Sequence, residues 1–248
     1  ANEDALLRWS IRSLGNLRFQ IGRDAVLNKT LLRTRIRLCP ACVVNDMASV
    51  QGPYRRFHWD LISLRTCEIH GVPLIQLPHL EHSFGNYDFV KRVGACWEII
   101  EQANGKASQR DFTAYEAYLL ARLRGTVGSH PFLDALSLPV VTRLAETLGL
   151  ALIGDRRPQR LVTTDDLYEA GKRSFAYLET GEDGLLECLC TLLQDPLQSN
   201  ASHKIDFGAF WVWLNHASSA PDIERLRAIA REFVFSNYPI SRGTIVLG

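Results

Sequence analysis

Residues 39–42 read Cys-Pro-Ala-Cys, and residues 67–71 read Cys-Glu-Ile-His-Gly. In each stretch two residues separate the soft ligands, so one tight turn can direct both at a single ion. The four candidate ligands are Cys39, Cys42, Cys67 and His70. Zinc binds such a Cys3His set tetrahedrally, with Zn–S bonds of about 2.3 Å. Four protein ligands leave no position for water, so we expect a structural and not a catalytic metal site.

The segment 36–78 contains few large apolar residues, so metal binding is expected to decide whether it folds. Zinc binding to small finger peptides is worth about 10–16 kcal/mol in apparent free energy. Gly71 predicts a left-handed turn after His70. Phe57, Trp59 and Leu61 alternate with polar residues, as in a half-buried strand. We expect Trp59 and Phe57 to form a small core beside the metal.

The other cysteines and histidine of this region have weaker claims as ligands. His58 lies between the two ligand pairs, but its place in the alternating segment argues against metal binding. Cys96, Cys188 and Cys190 lack a matching second pair. Because Cys188 and Cys190 are two residues apart in an apolar helix, they face different directions, which favours core packing.

Length and composition predict a globular chain with a sizeable core. The chain has 248 residues, of which 46% are hydrophobic and 22% charged, a balance that excludes a disordered or fibrous protein. No apolar run approaches the ~20 residues that cross a bilayer, and residues 1–4 do not resemble a leader. We therefore expect a cytoplasmic protein that makes no membrane contact.

The net charge of +1 excludes a strongly cationic protein that coats nucleic acid without specificity. Lys and Arg outnumber Asp and Glu in residues 1–85, whereas Asp and Glu outnumber Lys and Arg in residues 86–248. A mildly basic front half therefore precedes a mildly acidic back half.

Apolar periodicity predicts a mainly α fold: a helical bundle with a small zinc-ribbon-like, β-containing insert. Apolar residues from Leu6 to Leu14 are spaced as in a helix that ends at Gly15. Further helices are predicted over 23–32, 108–124, 139–148, 167–180, 184–193, 206–217 and 221–235. The predicted domains are residues 1–82, with a helical start and a ribbon over about 36–78, and a helical bundle over 83–248.

Three stretches together resemble the TniQ family. They are Leu38 to Cys42, then Tyr54 to Leu61 with Trp59 and Leu61 in place, then Cys67 to Leu74. The family has a CPxC-like pair, a Trp-x-Leu segment and a C-x-x-H-G-x-x-L segment in this order. Weaker similarity continues through Leu144–Gly149 and through Tyr238–Gly248.

The resemblance implies an accessory protein of Tn7-like transposons that selects the target site. Such proteins bind DNA directly or dock on a guide-RNA complex, recruit the transposition ATPase, and are not the strand-transfer enzyme. The family's Pro-x-x-x-Glu-Ser/Thr-like start has no counterpart before Ala1, and the chain ends abruptly at Gly248. These two features predict an expressed fragment or a truncated relative.

Five arginines are candidate nucleic-acid contacts: Arg33, Arg35, Arg37, Arg55 and Arg56. The first three occupy every second position, so an extended chain would point them the same way. Each phosphate contact would steepen the salt dependence of binding by about 0.9 in logarithmic slope. The alternative is a solvated strand face, or ion pairs with the acidic back half.

Residues 139–152 resemble the first helix and turn of a helix-turn-helix, but the apolar residues 150–154 follow where a recognition helix should be polar. A core helix that stops at Gly149 is therefore favoured. The acidic pairs at 165–166 and 182–183 fit helix starts. An aromatic cluster is either core or a docking patch for a protein; it comprises Phe207, Phe210, Trp211, Trp213 and Leu214.

The sequence contains no phosphate-binding glycine loop and no nucleophile elbow, which argues against an ATPase or a hydrolase. The predicted function is a zinc-containing, non-enzymatic adaptor of transposition that binds target DNA or a guide-RNA complex and recruits the transposition ATPase. A homodimer is a further expectation. The alternatives are a sequence-specific transcription regulator and a zinc-dependent enzyme.

Overall fold

The computed structural model describes residues 10–32, 35–80, 84–126, 128–155, 157, 161–193, 202–241, 243 and 245–247. These described residues are 56% helical and contain eleven α-helices and sheets of only two or three strands, which confirms the predicted fold class. The chain divides into two units, Ala1–Thr126 and Val127–Gly248. In the described part of the chain, no helix is both long and apolar enough to cross a membrane.

The first unit contains two small antiparallel sheets and four helices. The first sheet has the order β1-β2-β3, with β1 at Arg12–Gly15, β2 at Arg18–Ile21 and β3 at Asp24–Leu27. The second sheet pairs β4, Arg37–Leu38, with β5, Ile75–Gln76. The helices are α1 at Pro40–Met47, α2 at Phe89–Ala95, α3 at Trp97–Lys106 and α4 at Ala114–Leu123.

One core of the first unit is built around Trp59, which is fully buried. Val93 and Cys96 from the α2 region and Ile100 from α3 belong to the same buried cluster as the residues of segment 36–78. This unit therefore extends past residue 82, the predicted end of the first domain, because the short ribbon needs these helices to bury its apolar side chains.

The prediction of a helical start is wrong for the described residues. Strands occupy 12–27 and a 3-10 turn occupies Asn28–Thr30, where the sequence predicted a helix over 23–32. Phe19, Ile21 and Val26 are buried, whereas the residues next to them are half-buried or exposed, which is the period of a strand. The β1–β2 turn holds Asn16 and Leu17 at positive φ. Leu6, Leu7 and Trp9 lie outside the described residues.

The alternating segment at 57–61 is also not a strand. Phe57–Asp60 forms a 3-10 turn, in which Trp59 is buried and Phe57 half-buried. A 3-10 turn has three residues per turn, so it can bury one side chain without pairing with a strand. Alternation of apolar and polar residues over only five positions therefore did not distinguish a strand from a 3-10 turn.

Among the described residues of the second unit, the regular elements are all helices and none is a strand. Its helices are α5 at Pro131–Asp134, α6 at Leu138–Leu152, α7 at Thr164–Leu178, α8 at Glu182–Leu192, α9 at His203–Asp206, α10 at Gly208–His216 and α11 at Pro221–Asn237. The apolar helix α6 is buried over most of its length and packs against α7 and α10.

Several helix boundaries differ from the predictions, and two of the differences have a clear physical reason. Helix α4 begins at Ala114, not near Ser108, because Thr113 and Glu116 form a capping box there. Helix α6 continues through Gly149 instead of ending at it. A Cβ on Gly149 would lie 2.0 Å from the carbonyl oxygen of Ala170 in α7, so this glycine permits close helix packing.

Candidate metal centre

Four side chains converge at one point in the first unit. Cys39, Cys42, Cys67 and His70 each offer a ligand atom, and these atoms all lie within 4.8 Å of one another. The three cysteines are buried and His70 is half-buried. Sequence spacing alone predicted this set, and the fold brings all four members together.

The first pair belongs to the N-terminus of α1. Cys39 is the N-cap residue, and its Sγ accepts a hydrogen bond from the backbone N–H of Cys42 at 3.4 Å. Pro40 at the first helical position needs no hydrogen-bond acceptor and fixes φ. The positive end of the helix dipole stabilises the thiolate forms of both cysteines. The Cys-Pro-Ala-Cys motif is therefore the first turn of a helix.

The second pair lies on a tight turn between β-bridged segments. The N–H of Gly71 donates to the carbonyl of Cys67 at 2.9 Å, and the N–H of Cys67 donates to the carbonyl of Val72 at 2.9 Å. Gly71 has φ +56°, as its place in the sequence predicted. The carbonyl of Gly71 also accepts from the N–H of Arg110 at 2.8 Å, which anchors the turn to the chain before α4.

The distances between ligand atoms suit a tetrahedral ion. Nδ1 of His70 lies 3.6 Å from Sγ of Cys39, 3.2 Å from Sγ of Cys42 and 3.7 Å from Sγ of Cys67. Sγ of Cys42 lies 3.6 Å from Sγ of Cys67. A tetrahedron with Zn–S bonds of about 2.3 Å has sulfur–sulfur edges of about 3.8 Å. The cluster can therefore hold a metal ion, and its donor set matches zinc.

The thiols differ in how readily they ionise. Hydrogen bonds with Cys39 and Cys42 lower the pKa of Cys67. The hydrogen bond of Cys42 with Cys39 raises the pKa of Cys42, and burial raises it further. For Cys39, a hydrogen bond with Cys42 lowers the pKa, but a bond with Cys67 and burial outweigh it and raise the pKa to about 11. A divalent cation would therefore displace protons from Cys39 and Cys42 when it binds.

The ring of His70 has a polar neighbour on the side away from the sulfurs. Nε2 lies 3.2 Å from the side-chain amide of Asn45, an exposed residue of α1. The Asn45 atom at this distance is Nδ2. When Nδ1 of His70 holds a metal, Nε2 carries the proton, and the Asn45 amide must turn over so that Oδ1 accepts it. Such a contact fixes the tautomer and the orientation of a ligating histidine.

Glu116 in α4 supports the second ligand pair. Its Oε1 accepts hydrogen bonds from the backbone N–H groups of Arg65 and Thr66, each at 2.8 Å, immediately before Cys67. The side chain is almost fully buried. Sequence analysis missed this role, although the Thr113-x-x-Glu116 spacing is a readable capping-box signal.

The candidate nucleic-acid arginines do not form one exposed row. Arg37 is buried, and its guanidinium donates to the carbonyls of Trp59, Leu61 and Ile62. Burial lowers the pKa of Arg37 to about 9. Arg35 is exposed, and Arg33 lies outside the described residues.

Arg55 and Arg56 each bind a carboxylate of the same unit. Arg55 pairs with Asp60 and also donates to the carbonyl of Leu32 at 3.1 Å. Arg56 makes two hydrogen bonds to Asp46, at 2.8 and 3.0 Å, which tie the 3-10 turn at Trp59 to α1. These bonds contribute to the fold around the metal centre.

Among the described residues, the other cysteines are not members of the metal-ligating group. His58 is not part of the metal-ligating group, and burial lowers its pKa to about 4. Cys188 is buried and Cys190 exposed, as expected for opposite faces of a helix. The aromatic cluster is mostly core, since Phe207, Phe210, Trp211 and Leu214 are buried, whereas Trp213 is half-buried.

Residues 2–74 match the TniQ family model, a stretch that contains all four ligands of the metal centre. Comparisons with curated proteins and with solved structures gave no significant match. A TniQ domain implies a transposition-associated adaptor role. The match covers less than half of the 248 residues, and it shows that residues 2–74 are similar to a TniQ domain.

Proposed function

We propose that this protein is a zinc-containing, non-enzymatic adaptor of a Tn7-like transposition system. It binds target DNA or a guide-RNA complex and recruits transposition proteins, including the transposition ATPase. The TniQ match over residues 2–74 supports the transposition role.

The convergence of three thiols and one imidazole carries the zinc part of the proposal. All four positions of a tetrahedral ion are taken by protein atoms, which is the arrangement of structural zinc sites. Zinc would hold the start of α1 and the 67–71 turn together, next to the hydrophobic core around Trp59. A zinc-dependent enzyme needs an open coordination position, and this ligand set offers none.

The alternative of a transcription regulator would require an exposed recognition helix after Gly149. In the second unit the residues up to Leu152 continue α6, and most of that helix is buried. The adaptor therefore accounts better for the described part of the chain.

Affinity capture tests the proposal. Tagged, zinc-loaded protein is immobilised in lysate of the native host, and the captured proteins and nucleic acids are identified by mass spectrometry and sequencing. The comparison variant is Cys67→Ser, which removes one candidate ligand and is expected to unfold the zinc ribbon, and the matched control is Cys190→Ser, an exposed thiol outside the ligand group. Recovery of a transposition ATPase or of a guide-RNA complex by the zinc-loaded protein, and its loss with the Cys67→Ser variant, supports the adaptor. Recovery of neither would overturn it.

A further inference from the structure

The outer face of the β1–β3 sheet carries unbalanced positive charge. Arg12 lies opposite Gln20, and Gln20 lies opposite Ala25, so these residues form one row across the sheet. Arg18 lies opposite Leu27 in the next row. Because alternate residues of a strand share a face, Arg12 and Arg18 project from the same side.

The opposite side of this sheet packs into the protein. Phe19, Ile21 and Val26 are buried, whereas Arg12, Arg18 and Leu27 are exposed. The sheet is therefore held by its inner face, and its outer face is presented to solvent. Lys29 lies in the 3-10 turn Asn28–Thr30, which follows β3, and is also exposed.

In the described part of the chain, no acidic side chain pairs with the cations of this face. The sequence from 10 to 32 contains one carboxylate, Asp24, which is buried and bound to Arg122. Among the described residues, Arg12, Arg18 and Lys29 make no side-chain hydrogen bond or ion pair. They differ in this respect from Arg37, Arg55 and Arg56, whose guanidinium groups are committed to internal acceptors.

The turn between β1 and β2 adds exposed apolar surface. Leu14 precedes this turn and Leu17 lies in it, and they are 50% and 69% exposed. The three-stranded sheet presents one broad face to solvent, because its inner face is packed into the protein. Cations on such a face are placed to meet the phosphates of a duplex, and not the base edges in a groove.

We propose that the outer face of β1–β3 contacts the phosphate backbone of duplex DNA through Arg12, Arg18 and Lys29. A row of like charge without interspersed carboxylates is complementary to a strand of phosphates, which presents only negative charge. Arginine also offers a planar fork that matches phosphate oxygens. This proposal rests on the DNA-binding part of the proposed function. It assigns the DNA contact to the outer face of β1–β3.

The test measures DNA binding by the zinc-loaded full chain. The probe is a fluorescein-labelled 30-base-pair duplex of arbitrary sequence, and anisotropy is recorded over a series of NaCl concentrations. The test variant is Arg12→Gln with Arg18→Gln. The matched control is Lys91→Gln with Lys106→Gln, which removes the same charge from exposed positions of the same unit. Circular dichroism and zinc content verify that both variants fold.

Loss of two phosphate contacts is expected to weaken binding by at least about tenfold and to make the logarithmic salt slope less steep by about 2. The control variant should retain both the affinity and the slope. If the unaltered chain binds the duplex clearly and the test variant binds it with the same affinity and salt slope, the surface assignment is overturned. The DNA part of the proposed function is not affected by that result. Failure of the unaltered chain to bind duplex DNA would overturn the surface assignment together with the DNA part of the proposed function. A 30-nucleotide RNA bound in preference to the duplex, and weakened equally by the test variant, would reassign the face to RNA and overturn the proposal.

Discussion

Asp24 and Arg122 form a buried ion pair that joins β3 to α4. The Oδ1 and Oδ2 atoms of Asp24 lie 2.6 and 2.9 Å from Nη2 and Nε of Arg122. Both side chains are less than 10% exposed. The basic sheet β1–β3 is thereby fixed to the helix that also carries Glu116.

Asp24→Asn is expected to lower the free energy of unfolding by about 3 kcal/mol, because it leaves the buried guanidinium of Arg122 without its counter-charge. Urea denaturation followed by circular dichroism measures the loss. The control, Glu182→Gln, removes one partner of an exposed ion pair with Arg225 and should cost less than about 1 kcal/mol. Equal costs for both variants would contradict the structural role of Asp24.

Purified protein is expected to contain one zinc ion per chain, measured by elemental analysis. Chelation of the zinc, or the Cys42→Ser substitution, should unfold the ribbon, since zinc contributes about 10–16 kcal/mol in comparable peptides. Cys190→Ser is the matched control because this thiol is exposed and distant in sequence. A full zinc content in Cys42→Ser would show that this thiol is not a ligand.

Glu116→Ala is expected to weaken zinc binding about tenfold, since groups that orient ligands have effects of about 10–100-fold. The substitution leaves the N–H groups of Arg65 and Thr66 without their acceptor beside Cys67. Competition with a chromogenic chelator measures the affinity. Glu98→Ala, at an exposed position of α3, should bind zinc as the unaltered chain does. If the Glu116→Ala variant binds zinc with unchanged affinity, Glu116 only caps α4 and does not support the metal centre.

The stability of the first unit is expected to fall between about pH 6.5 and pH 4 in part because of His58. Burial holds the pKa of His58 at about 4, below the unfolded value of about 6.5. The neutral ring therefore contributes fully above pH 6.5, and this contribution is lost as the pH falls through the folded pKa.

Comparison with His58→Gln isolates this effect, because zinc release at low pH occurs in both proteins. Urea denaturation at pH 7.0, 5.5 and 4.5 should show the unaltered chain losing up to about 3 kcal/mol more than the variant. Parallel losses in the two proteins would exclude His58 as the cause.

Gly149→Ala is expected to destabilise the second unit by about 3 kcal/mol, because the added methyl group would overlap the backbone of Ala170 and force α6 and α7 apart. Gly105→Ala in α3 is the control, since no atom lies within 4 Å of the new Cβ. That substitution should stabilise its helix by up to about 1 kcal/mol. Thermal unfolding of the two variants measures the contrast, and a stabilised Gly149→Ala variant would contradict the close helix contact.

Local signals were sufficient for many helices of the second unit. Proline at the start of α11 and the acidic residues at 165–166 predicted helix starts that the structure confirms. The front strands were not predictable in this way. Their first turn uses Asn16 and Leu17 at positive φ, and leucine gives no sequence signal for that conformation.

The amino-acid sequence by itself determined which residues are candidate metal ligands, because two residues between Cys39 and Cys42, and between Cys67 and His70, let one turn direct each pair at one ion. Only the tertiary structure decided which arginines are internal and which face solvent. Arg37 reaches the carbonyl of Trp59 across 22 residues, and Glu116 reaches the N–H of Arg65 across 51. Contacts between such distant positions depend on how the elements pack. The sequence around a charged residue does not differ between a side chain that binds a buried carbonyl group and one that faces water.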